Sequence, residues 1–430
     1  MRLSDYKHSE GRGQFRRDRK LFLNSGTWTW TIPDGVTKVW AFCMGAGGGG
    51  PTYGTANTNN FGVLGGGKGG GYASGIISGL TPGNTLTLTI GAGGLGSYRG
   101  ATAGNGGNTT VAATGGTTYL TGNGGGGGSN TPVTSDNGSQ KGSGGGASTS
   151  GVTDAYTASG GGSGNYPAGV GTTGGIGTDC SVVTGGGASG SPFGTGMGGG
   201  RAVATEKCPT GGGGWCQKEY PHAHGVHNGS GEFRMEGGEY PGYGSHDMPF
   251  FYNKGASKFY SVGGTGGRGR SAKGGLSMSM ASMFGSYFDS VNGPGMGNYA
   301  KMADLLDGED GNPNWWFPWE VDGGGGGATY HTNSYGSWHV PSGNGGPGAG
   351  GGAVSGYGSN QCICKAGRGG FGGGGGGARV SSTNINYWVS SVGGNGGNGG
   401  GGGGAWGRIQ SGRYMPVGGD GGDGAVGIYW

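Results

Sequence analysis

The chain has 430 residues, of which 127 are glycine and 16 proline, and its 26 basic side chains barely outnumber the 22 acidic ones. Glycine and proline at about a third of a sequence suggest collagen or disorder. Collagen is excluded because glycine comes in blocks such as residues 122–128 rather than at every third position, and disorder sits badly with 11 Trp, 20 Tyr and 13 Phe. The net charge of +4 is too small to argue for a nucleic-acid partner.

Residues 1–22 form a basic arm, with most of its charge between Arg2 and Lys20, and read as a docking segment for another protein. No apolar run approaches the eighteen or so residues that span a bilayer, and no secretory signal is visible. Synthesis in the cytoplasm without membrane insertion is expected.

Residues 23–120, joined by 425–430, are predicted to make a small antiparallel β-sandwich. Thr27 to Ile32 alternates polar and apolar, the pattern of a strand wet on one face, and Pro33-Asp34-Gly35 turns the chain. Val39 to Met44 is apolar throughout, which suits a strand buried on both faces. Leu86 to Ile90 alternates again after the turn Thr81-Pro82-Gly83-Asn84, and Thr109 to Val111 is a weaker strand. Val426 to Trp430 is a strand with no neighbour in sequence, so it must return to the N-terminal sheet.

Two glycine-dominated regions, 121–247 and 323–424, fill the interval. Triplets such as Gly393-Gly394-Asn395-Gly396-Gly397-Asn398 and Gly418-Gly419-Asp420-Gly421-Gly422-Asp423 have period three, the period of the extended left-handed helix. Such a helix makes no internal hydrogen bonds, so packed polyglycine II helices must bond laterally, which only side-chain-free backbone can approach closely enough to do. Between them, residues 248–322 have ordinary composition, and the spacing of apolar residues predicts short helices over Leu276 to Val291 and Asn298 to Asp307.

Chemistry-bearing motifs are sparse. Gly62 to Lys68 resembles a phosphate-binding loop, but Gly69 stands where Ser or Thr is required. His222 and His224, two apart, would point the same way from an extended strand and are the candidate ligands for a transition metal; the pair resembles the His-x-His strands at the tips of some trimeric phage fibres, which implies iron, while the plainer reading is a solvated loop, with no cofactor. The acidic run Asp307 to Asn312 lacks the closing bidentate Glu of a calcium loop. Trp315, Trp316 and Trp319 suit either a sugar-stacking platform or the core of the middle segment. The six cysteines have neither zinc-site nor disulfide-framework spacing and read as mostly free thiols. No nucleophile, base and orienting group occur in series, so an enzyme is not expected. Tyr240, Tyr243, Phe250, Phe251, Tyr252, Tyr330, Tyr335 and Trp338 lie between glycine tracts and are the candidate receptor-binding residues, since aromatic side chains give contact area at low entropic cost.

The stretch from Gly26 to Gly50, with its Pro-Asp-Gly-Val turn, apolar strand and glycine burst, resembles the opening of the glycine-rich domain of many bacteriophage tail proteins. The resemblance continues through Gly70 to Ser74, Leu80 to Gly94 and Gly421 to Trp430. The glycine tracts are also similar to the distal adhesins of T-even-like phages, whose packed polyglycine helices hold receptor-binding loops. That resemblance implies a non-enzymatic virion protein of tail-fibre or adhesin type, with other tail proteins and a host glycan or outer-membrane protein as partners. A homotrimer is the implied assembly, in which His222 and His224 of three chains would surround one metal. The basic arm and the middle segment depart from this pattern and leave a capsid decoration or head-fibre protein as the alternative.

Overall fold

The computed structural model describes residues 18–55, 62–130 except 99, 144–162, most of 181–199, 209, 211–215, 329–333, 338–358, 362–382, 389–408 and 415–430, with isolated strands at 225–226, 261–262 and 278–279. The protein is mainly β, and no helix occurs among the described residues. The arm up to residue 17 and nearly all of the middle segment lie outside them.

The path of the chain explains the architecture. Strands β1 (Arg19–Phe22), β2 (Gly26–Thr31) and β3 (Lys38–Met44) lead into a glycine run at 45–50, and β4 (Thr52–Thr55) follows it. The chain returns through β5 (Gly62–Leu64) and glycine-rich residues 65–71 to β6 (Tyr72–Ser78). The same excursion recurs between β7 (Thr85–Ile90) and β8 (Thr109–Ala113), between β9 (Thr118–Gly122) and β10 (Ala147–Thr149), and after β11 (Thr153–Ala158) on the way to β12 (Ser181–Val183). Three two-residue strands come next, β13 (Gly225–Val226), β14 (Ser261–Val262) and β15 (Met278–Ser279). Strands and glycine runs then alternate through β16 (Thr329–Asn333), β17 (Trp338–Pro341), β18 (Val354–Gly358), β19 (Cys362–Lys365), β20 (Ala378–Ser382), β21 (Val389–Val392) and β22 (Ala405–Arg408) to β23 (Ala425–Tyr429). Three tiers result: a base of antiparallel strands, a middle layer of glycine runs, and an upper layer of mostly parallel strands.

The base contains two five-stranded antiparallel sheets, ordered β1-β23-β3-β6-β11 and β10-β9-β8-β7-β2. The C-terminal strand pairs with β3, Ala425 opposite Met44 through Tyr429 opposite Trp40, and with β1 on its other side. Alternate residues of both sheets meet in one apolar core: Val39, Ala41, Cys43, Ala73, Ile77, Val426 and Ile428 from the first, Trp30, Leu86, Leu88, Ile90, Val111 and Leu120 from the second. The intervening positions of β3, Trp40, Phe42 and Met44, are buried on the opposite face with Tyr72 and Tyr429, which is why this strand is apolar at every position. Both predicted turns form. Val36 N–H donates to Pro33 and Asn84 N–H to Thr81, with Gly35 and Gly83 at φ 77° and 81°, the left-handed residue that a type II turn requires. Strands β10 and β11 extend the base beyond residue 120, pairing with β9 and β6.

At the centre of the middle layer, the run 45–50 is held by backbone hydrogen bonds. Within the run 45–50, the N–H groups of Gly45 and Gly48 donate to Gly71 and Lys68, those of Ala46 and Gly49 to Gly107 and Gly104, and those of Gly47 and Gly50 to Gly422 and Gly419. Three neighbours are thus met in rotation, one every third residue. Its carbonyls accept from three further segments: Gly125 and Gly128 donate to Ala46 and Gly49, Gly94 and Ser97 to Gly47 and Gly50, and Gly402 to Gly48. A Cβ on Gly47 would lie 1.9 Å from the carbonyl oxygen of Gly400, and one on Gly50 2.0 Å from that of Gly403. Glycine is required here by contact distance, since a polar backbone removed from water must be paired and only bare backbone comes this close.

Residues 342–424 hold a tandem repeat of about 25 residues. Units begin at Ser342, Ala366, Gly393 and Gly418, and every third N–H of one donates to the next: Ser342, Gly345 and Gly348 to Lys365, Arg368 and Phe371; Ala366, Gly369 and Gly372 to Val392, Asn395 and Asn398; Gly393, Gly396 and Gly399 to Val417, Asp420 and Asp423. Gly418, Gly421 and Gly424 complete the series on Ser97, Gly94 and Gly91. The first three units reverse at Pro347-Gly348, Phe371-Gly372 and Asn398-Gly399, whose glycines have φ of 76°, 79° and 77°, each closed by a hydrogen bond three residues long such as Gly400 N–H to Gly397.

The predicted helix over Leu276 to Val291 is corrected at Met278 and Ser279, which pair in parallel with Thr329 and Tyr330. The alternation Ser277-Met278-Ser279-Met280 is a strand pattern inside a segment whose wider spacing suggests a helix. Region 323–424, expected as a glycine-rich region with loops between its tracts, carries seven strands among the described residues.

Candidate functional site

The upper tier is a six-stranded sheet, β15-β16-β18-β20-β22-β4, parallel at every pairing, beside the parallel sheet β17-β19-β21. The units beginning at Ser342 and Ala366 each send out one strand of the larger sheet, β18 and β20, and take back one of the smaller, β19 and β21. Parallel register aligns their far ends: Asn333 stands beside Gly358, Gly358 beside Ser382, and Arg408 beside Thr55. Successive units therefore deliver the chain to the same end of the parallel sheet, side by side.

A cross-strand row runs Tyr330, Ser355, Arg379, Trp406, Tyr53. The Arg379 guanidinium lies 5.2 Å from the centre of the Trp406 ring, an attraction of about 0.5–2 kcal/mol. Trp406 packs on Leu64 and Val183, with Tyr53 against them, and Ser391 Oγ donates to its carbonyl. With the indole 8% exposed, Trp406 binds strands to each other rather than offering a ligand surface.

Of the candidate receptor residues, the structure places two. Tyr330 is in the row above, and Trp338 begins β17 opposite Cys362. Tyr240, Tyr243, Phe250, Phe251, Tyr252 and Tyr335 lie outside the described residues, as do His222 and His224. Among the described residues no cluster of three metal-ligating side chains occurs.

Side chains on the flank of the glycine layer were not singled out from sequence. Leu95 is 73% and Tyr98 45% exposed, in the period-three row Ala92, Leu95, Tyr98 that faces away from the layer. Beside it, Asp420 and Asp423 use Oδ1 to accept from Gly96 and Gly93 N–H; Asn344 and Asn395 accept from Arg368 and Asp420 N–H, and Asn105 and Asn108 from Gly127 and Gly124. Asn395, Asp420 and Asp423 of the triplets thus each cap a backbone donor on the adjoining run. Period three with Asn or Asp at the third place is the signal that marks these positions. Cys43 and Cys364 are buried, and Cys43 is a free thiol. Burial pushes the Cys43 thiol up to about 12, the opposite of an activated nucleophile.

A family model described as a glycine-rich domain matches residues 23–270. The chain belongs to this glycine-rich domain family. The matched span of the glycine-rich domain protein opens just before β2 and includes every base strand except β1 and β23. The tandem units at 342–424 lie beyond it, yet bond into the same layer through Gly419 and Gly422. No curated protein matches the chain.

Proposed function

We propose that this glycine-rich domain protein is a bacteriophage virion component of tail-fibre or adhesin type, whose glycine layer is a bundle of polyglycine II helices holding loops for host-receptor binding. The two base sheets act as a β-sandwich foundation, with the basic arm fastening it to other virion proteins. The observation that carries this reading is the six-neighbour bonding of 45–50 combined with the in-register delivery of strand ends at one side. A backbone lattice without room for side chains is stiff, and stiffness lowers the ordering cost of whatever binds the loops it supports. Many copies on a particle then turn weak glycan contacts into avidity.

Competition tests the reading directly: purified protein added to host cells should block adsorption of the phage that carries it. Unchanged adsorption, with antibody labelling over the capsid, would favour a decoration role instead.

A further inference from the structure

The base has four sheet edges, and three are protected in ways that prevent strand addition. Strand β10 has only three residues. Strand β11 carries a register shift between Thr153 and Tyr156, with Asp154 at φ 49°. Strand β1 is short and bears Arg19 and Lys20, the Lys20 ammonium lying 5.2 Å above the Phe22 ring.

Strand β2 lacks these features beyond its first residue, Gly26, which has φ 130°. It is six residues long, Gly-Thr-Trp-Thr-Trp-Thr, uncharged, free of proline and unbroken in its register with β7. All of its residues but Trp30 are exposed, and Trp28, on the core side of the sheet, is 42% exposed.

The direction of its backbone groups follows from the neighbouring turn. Ile32 N–H donates to Asn84 and Ile32 C=O accepts from Gly83, so Ile32 faces β7. Backbone groups alternate sides along an antiparallel strand, so Trp28 and Trp30 also bond towards β7, while Thr27, Thr29 and Thr31 aim N–H and C=O at the open edge. Residues 27–31 read the same in both directions, Thr-Trp-Thr-Trp-Thr.

We propose that the β2 edge is an interface for a second copy of this chain, paired antiparallel about a twofold axis through Thr29. Thr29 meets Thr29 of the second copy, Thr27 meets Thr31, and each pair exchanges two backbone hydrogen bonds. The same register sets Trp28 opposite Trp30 of the second copy on the core side, covering the exposed part of an indole that in a single chain lies beside Phe22 and donates to the Asn24 carbonyl. The contact is self-complementary and closes at two chains.

Analytical ultracentrifugation of the full chain, from about 1 to about 100 µM, should give twice the 42.0 kDa of one chain. Thr29→Pro removes an outward N–H that β7 does not use, so this variant should sediment as a monomer with unchanged circular dichroism. Thr29→Lys and Thr29→Glu should each be monomeric alone, and an equimolar mixture should restore the dimer, an outcome that misfolding would not produce. A wild-type monomer across the range, or an assembly that all three variants leave intact, overturns the proposal.

Discussion

The base and the glycine layer are stabilised by opposite uses of the same chain. In the base, side chains exclude water: Leu86, Leu88, Val111 and Leu120 fill the space between two sheets, and apolar area sets the stability. In the glycine layer side chains are excluded, and the runs at 45–50 and 393–404 are held by amides bonded to neighbours on several sides. A core tolerates loss of atoms at a graded penalty. The backbone lattice tolerates no gain of them at positions such as Gly47 and Gly50, where a Cβ would meet a carbonyl oxygen.

The largest effect should come from adding one methyl group to the lattice. Gly47→Ala puts a Cβ 1.9 Å from a carbonyl oxygen with backbone on both sides, and a loss of more than about 4 kcal/mol, enough to abolish soluble folded protein, is expected. A folded Gly47→Ala with a near-normal melting temperature would break the contrast between the regions. Leu88→Ala in the base should cost about 2–5 kcal/mol and remain measurable by urea titration.

Smaller effects separate the polar residues of the triplets. Asn398 Nδ2 donates to the carbonyls of Leu23 and Gly424, which a carboxylate cannot do, so Asn398→Asp should destabilise by about 1–3 kcal/mol. Asp420 accepts through Oδ1 from Gly96, a bond that an amide oxygen also makes, and Asp420→Asn should change stability by less than about 0.5 kcal/mol. Thermal melts of the two variants side by side test the asymmetry.

A pH-dependent effect appears on the alkaline side. Burial raises the Cys43 thiol from 9.0 to about 12 and also raises Tyr72 and Tyr429. The unfolded chain therefore loses these protons first, and their contribution is complete below about pH 9 and lost as pH rises towards 12. Replacing Cys43 with Ala should flatten the early part of that decline in melts taken between pH 8 and 11.

Local pattern in the sequence made the base legible. Alternation located β2 and β7, the unbroken apolar run located β3, and the isolated Val426 to Trp430 implied the return to the N-terminal sheet that its pairing with β3 realises. Period-three triplets flagged the chemistry of 393–398 and 418–423. The repeat of about 25 residues went unseen because its units differ in loop length and composition, so only Ser342, Ala366, Gly393 and Gly418 taken together reveal the frame. Of the candidate receptor residues, only Tyr330 and Trp338 have described positions, and both lie within strands rather than loops.

What the sequence by itself determined is the type of contact each segment makes, because side-chain size and alternation act over a few residues: apolar faces for the base, bare backbone for the middle layer, turns where proline precedes glycine. Which run lies beside which was decided only by the tertiary structure. Every glycine run is locally alike, and a backbone amide carries no label that distinguishes Gly422 from Gly71 as the partner of the 45–50 segment. The base strands, whose side chains are distinct and whose register is therefore fixed, clamp the ends of the runs and assign each its place.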